Sequence, residues 1–232
     1  MKKLLLFLIV LLPTVASSQQ SLSLPGVNNL RLDVKNIKSI RSLDDVKDRF
    51  DGSILLYDDW QPAVITMKTG KEEHKMMNYF IYDNSLIYMQ GRDSILTLAL
   101  TDRIKDIRIG NQIFEMVTYT DPKSEVIKTG VFEVVYKAEP MSIVKKYNME
   151  MKEGQDESGY KEARKPTIVA KTALYYQPIG TTFSYPVPAK KKEFYSIFGD
   201  KAKEVETYAK TNKLKINEAG IIKMAKYYNS LK

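Results

Sequence analysis

Short segments in which apolar and polar side chains alternate limit most strongly how this chain can fold. They are rich in β-branched and aromatic residues and are separated by glycine, asparagine and aspartate, which favour turns. The segments cover residues 65–68, 78–83, 85–90, 94–100, 105–109, 112–119, 130–137, 142–151, 172–177 and 181–187. Because successive side chains of a strand point to opposite faces of the sheet, this alternation predicts half-buried strands. Their regular spacing predicts an antiparallel β meander, either a curved sheet or a partly closed barrel.

Residues 152–166 interrupt this pattern with a polar run that carries both signs of charge. The run has no apolar face to bury, so we expect a long exposed loop. Two interpretations stay open, a surface insertion without a role and a binding loop. In both, the β domain continues beyond the loop to residue 189.

Residues 190–232 change to the period of amphipathic helices. Gly199 and Asn212 are placed to end the first and second helices, whereas Asp200 and Asn217 are placed to cap the second and third. The apolar stripes comprise Phe194, Ile197 and Phe198, then Ala202, Val205, Tyr208 and Ala209, then Ile221, Met224, Ala225 and Tyr228. Because short helices gain most of their stability by burying such a stripe, we expect a helical cap packed on the sheet. The predicted fold class is therefore α+β.

The N-terminal residues 1–18 have the parts of a secretory signal peptide. Lys2 and Lys3 precede an apolar run, and Ala16 and Ser18 are small residues at the spacing that signal peptidase requires. The run is shorter than the roughly 20 residues that span a bilayer. No cysteine follows it, which excludes a thioether-linked lipid anchor. We expect an exported protein of the periplasm, or of the periplasmic face of the outer membrane.

The absence of cysteine from all 232 residues excludes several kinds of chemistry. A disulfide framework, a thiol nucleophile, an iron–sulfur cluster and a thiolate zinc site each need cysteine. Secreted eukaryotic proteins of this size usually contain disulfides, so the absence favours a bacterial envelope protein. With 44% hydrophobic and 28% charged residues, the composition is typical of a globular chain of one or two domains.

The excess of positive charge is confined to the C-terminal segment. Residues 190–232 contain 11 lysines, five acidic residues and no arginine, whereas residues 19–189 contain equal numbers of basic and acidic residues. A nucleic-acid-binding arm usually contains arginine and little acid, so we expect no nucleic-acid partner. A peripheral membrane contact through the basic helices stays open. We favour a cap whose lysines simply face water.

No catalytic residue is predicted. His74 is the single histidine, and it lies in a charged turn where a carboxylate could hardly orient it for a Ser-His-Asp triad. Lys145 is three positions after Ser142, so in a strand the two side chains point to opposite faces. Ser158 and Lys161 have the same spacing within the polar loop, where a lysine-rich chain produces such a match by chance.

Clustered carboxylates are the remaining candidates for hydrolysis or for calcium binding. Asp58 is followed by Asp59, and Glu72 and Glu73 precede His74. Neighbouring residues of a strand diverge, however, and the spacing of a calcium-binding loop is missing. We interpret these acids as solvated turns, and we predict neither a metal site nor a cofactor.

Four aromatic residues are the candidates for contacting a ligand: Tyr57, Trp60, Tyr175 and Tyr176. Trp60 and Tyr57 lie close to Pro62 and could stack on a sugar or a peptide, although a lone tryptophan is more often a core or sheet-edge anchor. Tyrosine, with 15 residues in the chain, suits half-exposed strand faces and also binding surfaces.

Four stretches of the chain are similar to an uncharacterised family of exported, signal-peptide-bearing proteins common in Bacteroidota. The stretches read NYFIYDNSLIYMQ, IRIGNQIFEMV, GVFEVVYKAEPMSIVKKYN and KINEAGIIKMAKYYNSL, and the likeness extends from about Phe50 to the C-terminus. The resemblance implies a β-rich body with a short helical C-terminus. It implies no catalytic residue, because none is assigned in the family.

Three hypotheses for the function follow. The first is a non-enzymatic envelope protein that acts as a structural or protein-interaction module, with an unknown envelope protein as partner. The second is a carrier of an apolar ligand such as a lipid, and the third is a hydrolase. A cavity lined by Leu96, Leu98, Phe132 and Val134 favours the carrier, whereas a filled core favours the interaction module.

Overall fold

The computed structural model describes residues 43–44, 48–122, 124–155, 163–181 and 183–231. The predicted signal peptide and the centre of the polar loop, residues 156–162, lie outside the described residues. Ten strands are present in the described part: β1 (Gln61–Met67), β2 (Glu72–Phe80), β3 (Ser85–Gln90), β4 (Ser94–Thr97), β5 (Ile104–Ile109), β6 (Gln112–Thr120), β7 (Ile127–Tyr136), β8 (Met141–Lys152), β9 (Thr167–Pro178) and β10 (Phe183–Pro186). Three α-helices follow: α1 (Lys191–Ser196), α2 (Ala202–Thr211) and α3 (Glu218–Ser230). The predicted α+β class with a C-terminal helical cap is confirmed.

The strands form one sheet in the order β10-β9-β8-β7-β6-β5-β1-β2-β3-β4. Strands β5 to β10 are neighbours in chain order, as a meander requires, whereas β1 is inserted between β5 and β2. Strand β10 pairs antiparallel with β9 and parallel with β6, so that β6 to β10 close into a five-stranded barrel. The sequence left closure open, because the parallel pairing of two short segments leaves no trace in the hydrophobic pattern.

Strand β6 belongs both to the barrel and to the open part of the sheet. Along one edge it pairs with β7. Along its other edge, Gln112 is opposite Ile109 of β5, and Thr118 is opposite Phe183 of β10. This change of partner allows one continuous strand to leave the open sheet and enter the barrel.

Aromatic rings fill the inside of the barrel. The rings of Tyr119, Phe132 and Tyr175 meet edge to face, with centres 5.0 to 5.5 Å apart. Val117 and Val144 complete the cluster, and each of these five residues is at most 4% exposed. Because small barrels have room for little more than their own side chains, these rings occupy the interior.

The open part of the sheet buries apolar side chains on both of its faces. On one face, Tyr79 packs against Phe114 of β6 and Tyr147 of β8, with ring centres 5.5 and 5.3 Å away. Phe80, the next residue of β2, points to the opposite face and lies in a cluster with Ile54, which precedes β1. The chain before β1 therefore covers the second face.

The helical cap packs on the first residues of β8. Val205 of α2 and Met224 of α3 are fully buried and lie in one cluster with Met141 and Ile143. The side chain of Asn229 accepts a hydrogen bond from the backbone N–H of Met141 at 3.1 Å and donates one to its carbonyl oxygen at 2.8 Å. Both apolar contacts and backbone hydrogen bonds thus attach the cap to the sheet.

The predicted helix caps are half confirmed. The side chain of Asn217 accepts a hydrogen bond from the N–H of Gly220 at 2.9 Å and caps α3 as expected. The prediction for Asp200 is wrong, because this residue lies within a 3-10 turn, Gly199–Lys201, that leads directly into α2. Helix α2 begins after Lys201 without a side-chain cap. Its first N–H group already bonds to the carbonyl of Gly199, so the position after the turn needs no capping side chain.

Asn84, in the turn between β2 and β3, joins β7 to β8 where the two strands separate. It adopts a left-handed backbone conformation with φ of 62°. Its Oδ1 accepts a hydrogen bond from the N–H of Val131 at 2.9 Å, and its Nδ2 donates to the carbonyl of Tyr147 at 3.4 Å and to the hydroxyl of Tyr79. Gly130 makes this approach feasible, because a Cβ atom there would lie 2.5 Å from Oδ1.

We expect Gly130→Ala to lower the free energy of unfolding by about 2 kcal/mol, because the added methyl group must displace the Asn84 side chain. Urea unfolding followed by circular dichroism measures the loss. The control is a double-mutant cycle with Asn84→Ala, in which the obstructing atom is absent and the added methyl group should cost much less. Additive losses in that cycle would contradict the steric explanation.

Candidate functional site

A buried ion pair between β7 and β8 forms the centre of the most extensive polar network in the described residues. Glu133 and Lys145 are direct cross-strand neighbours, and their Oε2 and Nζ atoms are 2.9 Å apart. The two side chains are only 11% and 12% exposed. Glu218, the first residue of α3, approaches the same lysine with its two carboxylate oxygens 3.2 and 3.3 Å from Nζ. Lys145 therefore connects the sheet to the helical cap.

Hydrogen bonds extend this ion pair to the segment before β1. The hydroxyl of Tyr147 donates to Oε2 of Glu133 at 2.5 Å, and Nε2 of Gln112 donates to the same hydroxyl at 3.0 Å. The hydroxyl of Tyr57 donates to Oε1 of Gln112 at 2.5 Å. One chain of contacts thus crosses from residue 57 through β6, β8 and β7 to α3.

Strand geometry explains why these side chains meet. Tyr147 and Lys145 are two residues apart in β8 and so point to the same face, while Glu133 is opposite Lys145 on the neighbouring strand. Burying a carboxylate is costly unless a cation or hydrogen-bond donors surround it. Here the Lys145 ammonium group, the Tyr147 hydroxyl and the Gln112 amide surround the Glu133 carboxylate.

The contacts of the network shift the pKa values of three of its members. Burial acts to raise the pKa of Glu133, but the hydrogen bonds from Gln112, Tyr147 and Lys145 outweigh burial and lower this pKa. Burial acts to lower the pKa of Lys145, yet Glu133 and Glu218 raise it above its ordinary value. Burial, followed by the neighbouring Glu133, raises the pKa of Tyr147. At neutral pH the network therefore contains a carboxylate, an ammonium and a neutral phenol, none of which titrates close to the working pH of a general acid or base.

The four predicted ligand-contacting residues lie in or against four different hydrophobic clusters. Tyr57 packs against the core of the open sheet and joins the polar network, whereas Trp60 packs against the cluster that contains Phe80. Tyr175 is 2% exposed inside the barrel. Tyr176 packs against the cap cluster, with its ring centre 5.6 Å from that of Tyr185. The structure does not gather the four into one surface, and their role in binding stays a prediction.

The four residues that were expected to line a ligand cavity also lie apart from one another in the structure. Phe132 is fully buried in the barrel, and Val134 packs against that cluster. Leu98 packs on the core of the open sheet, while Leu96 is 37% exposed. Strand β4 ends at Thr97, so the predicted common face of residues 94–100 is interrupted. These four side chains do not line one cavity.

The remaining candidates are placed on the surface or make local contacts. His74 lies exposed within β2, opposite Val64, so its predicted position in a turn is wrong. Four consecutive polar residues, 72–75, begin this strand, and such a run resembles a charged turn in sequence. Asp58 and Asp59 are exposed in a bend. Within the described ranges, no group of three or more metal-ligating side chains could hold an ion.

The serine–lysine pair of β8 behaves as its spacing predicts. The hydroxyl of Ser142 donates to the carbonyl of Ala138 at 3.0 Å, whereas Lys145 binds the acids of the network. Ser158 and Lys161 lie outside the described residues.

Within the part of the chain that is described, no helix has the length and apolarity needed to cross a membrane.

The Glu133 network is not among the sites predicted from the sequence. A signal was present, since Glu133 lies between Phe132 and Val134 in the otherwise apolar run 131–136. A charged residue in such a run is either exposed to solvent or paired within the core. Only the positions of Lys145, Tyr147 and Glu218 in the fold show that Glu133 is paired.

The fold and the site together define a small closed barrel that is extended by an open sheet and attached to a helical cap by a buried ion pair. Comparison with known proteins does not refine this class: no protein-family model, no curated protein and no solved structure matches the chain. The functional conclusion therefore depends on the geometry of the chain itself.

Proposed function

We propose that this protein is a non-enzymatic, exported envelope protein that acts as a structural or protein-interaction module. The filled barrel is the observation that carries the proposal. Tyr119, Phe132 and Tyr175 occupy the space that a carrier would offer to an apolar ligand. A barrel whose interior is full presents its outer surface, its sheet edges and its cap to other molecules.

The polar network supports the same proposal against a hydrolase. Glu133, Lys145 and Tyr147 hold one another in fixed protonation states. Buried polar networks whose members are all satisfied make the surrounding structure rigid. We therefore assign this network the task of holding the cap in one position on the sheet.

Export is part of the proposal and is supported by the N-terminal sequence pattern. Lys2, Lys3, the apolar run after them, and the small residues Ala16 and Ser18 support cleavage after Ser18. A location in the periplasm, or at the periplasmic face of the outer membrane, follows from this pattern together with the absence of cysteine.

Mass spectrometry of the protein purified from its own cells tests both parts of the proposal separately. Under denaturing conditions we expect the mass of the chain that begins at Gln19, as signal-peptide cleavage requires. Under native conditions we expect this mass without a bound lipid, because rings fill the barrel. An uncleaved chain would contradict export. A lipid bound in a one-to-one ratio would replace the interaction module with the carrier.

A further inference from the structure

A shallow groove runs along the exposed side of α2 and is bounded by α3. Lys203, Thr207, Tyr208 and Thr211 of α2 line it together with Tyr227 of α3, and it encloses about 440 Å³. The rings of Tyr208 and Tyr227 are stacked in parallel, 4.0 Å apart with an angle of 6° between their planes. The stack gives the groove an apolar wall, and the α2 side chains give it a polar rim.

Exposed lysines lie in the groove and beside it. Lys203 lines it, and Lys223 lies one helical turn before Tyr227 on the same side of α3. Both lysines are exposed, and within the described residues neither forms an ion pair. Glu204, the acidic residue of the groove, is already paired with Lys201 at 3.1 Å. Two unpaired ammonium groups therefore flank the tyrosine stack.

The apolar stripes of the cap are turned toward the sheet and not toward solvent. Beyond Tyr185, the described part of the chain has no large hydrophobic residue that is exposed. Helices that lie on a membrane insert such residues into the lipid, so this surface is poorly suited to a bilayer. A groove with one lysine in its lining and a second beside it on α3 fits an extended acidic chain better than it fits a flat array of headgroups.

We propose that the groove binds an acidic peptide segment of a partner protein. Carboxylates of the segment contact Lys203 and Lys223, and one of its apolar or aromatic side chains packs against the tyrosine stack. This inference depends on the proposed interaction module and adds the chemistry of its partner. The partner's acidic segment complements the net positive charge of residues 190–232.

Fluorescence anisotropy of the full chain with a labelled glutamate peptide that has a central tyrosine tests the site. We expect Lys203→Glu with Lys223→Glu to weaken binding by about tenfold or more, because two attractive contacts become repulsive. The matched control, Lys68→Glu with Lys105→Glu, changes the net charge equally on the distant open sheet. It should weaken binding by less than about twofold, because exposed charges beyond the Debye length are screened.

A third variant tests whether the peptide binds in the groove or is held by net charge alone. Tyr208→Ala keeps every charge and should still weaken binding, while the melting temperatures of all variants show that the fold persists. Equal losses in the two charge-reversal variants would overturn the proposal. Binding to phosphatidylglycerol vesicles without binding to the peptide would also overturn it. If the peptide does not bind and native mass spectrometry finds no lipid, only the proposed groove site is refuted. If the peptide binds but native mass spectrometry finds a bound lipid, the proposed function is refuted instead.

Discussion

Deletion of residues 190–232 is expected to leave a body that no longer unfolds cooperatively. The cap contributes eight of the ten buried residues of its cluster, and the other two, Met141 and Ile143, lie on β8. Six of these eight are larger than alanine, and each buried side chain of that size stabilises a fold by about 1.5–3 kcal/mol. The sum is comparable with the total stability of a domain, about 5–15 kcal/mol. Near-ultraviolet circular dichroism and binding of an apolar dye should show a molten or insoluble product.

A charge control accompanies the deletion. Changing Lys191 and Lys192 to alanine removes two exposed lysines of the cap and keeps its apolar stripe, so the melting temperature should change little. A deleted protein that stays monomeric and melts at the original temperature would show that the helices are an independent arm.

Lys145→Met is expected to lower the free energy of unfolding by about 3 kcal/mol, because it leaves the Glu133 carboxylate buried without its cation. The methionine retains most of the volume of the lysine stem, so packing changes are small. The substitution also releases Glu218 and with it one attachment of α3. Urea unfolding monitored through the single tryptophan, Trp60, measures the loss.

The matched control for this prediction is Lys171→Met on the neighbouring strand. Lys171 pairs with Glu150 at 3.6 Å, but both side chains are more than half exposed. Exposed ion pairs contribute about 0–1 kcal/mol, so the control should lose little stability. Adding Glu133→Gln to Lys145→Met should recover part of the loss. A loss that the second substitution does not relieve would show that packing, and not the unpaired charge, causes it.

The pH dependence gives a second test of the same ion pair. The pKa of Glu133 is lowered by folding, so its contribution is complete above the ordinary carboxylate pKa and is lost as the pH falls through the folded value. The pKa of Lys145 is raised, so its contribution persists at neutral pH and is lost only in alkali. The difference in stability between wild type and Lys145→Met should therefore narrow as the pH falls below about 4. A constant difference over this range would contradict the assignment.

Several elements could be predicted because local physics decides them. Gly110 and Asn111, two residue types that favour turns, form the two-residue turn between β5 and β6, and Asn217 caps α3 as predicted. In the first case the backbone preferences of the two residues favour the turn, and in the second the asparagine's own side chain caps the helix. Asp200 is the counterexample: it has the residue type of a helix cap, but it lies within the 3-10 turn that leads into α2, where no capping side chain is needed.

The candidate site could not be predicted in the same way. Tyr57, Gln112 and Glu133 are separated by tens of residues, and their hydrogen bonds depend on strand order and register. The four aromatic residues chosen from sequence, by contrast, had the right chemistry for binding but different neighbours. Residue type predicts what a side chain can do, and the fold decides whether its partners are present.

By itself, the sequence determined the strands, the cap helices and the absence of cysteine chemistry, since alternation, helical period and composition are properties of neighbouring residues. Only the tertiary structure decided that β10 closes the barrel on β6, that rings fill its interior, and that Lys145 joins Glu133 to Glu218. These features arise between residues far apart in the chain, where register and packing, and no local preference, determine which side chains meet.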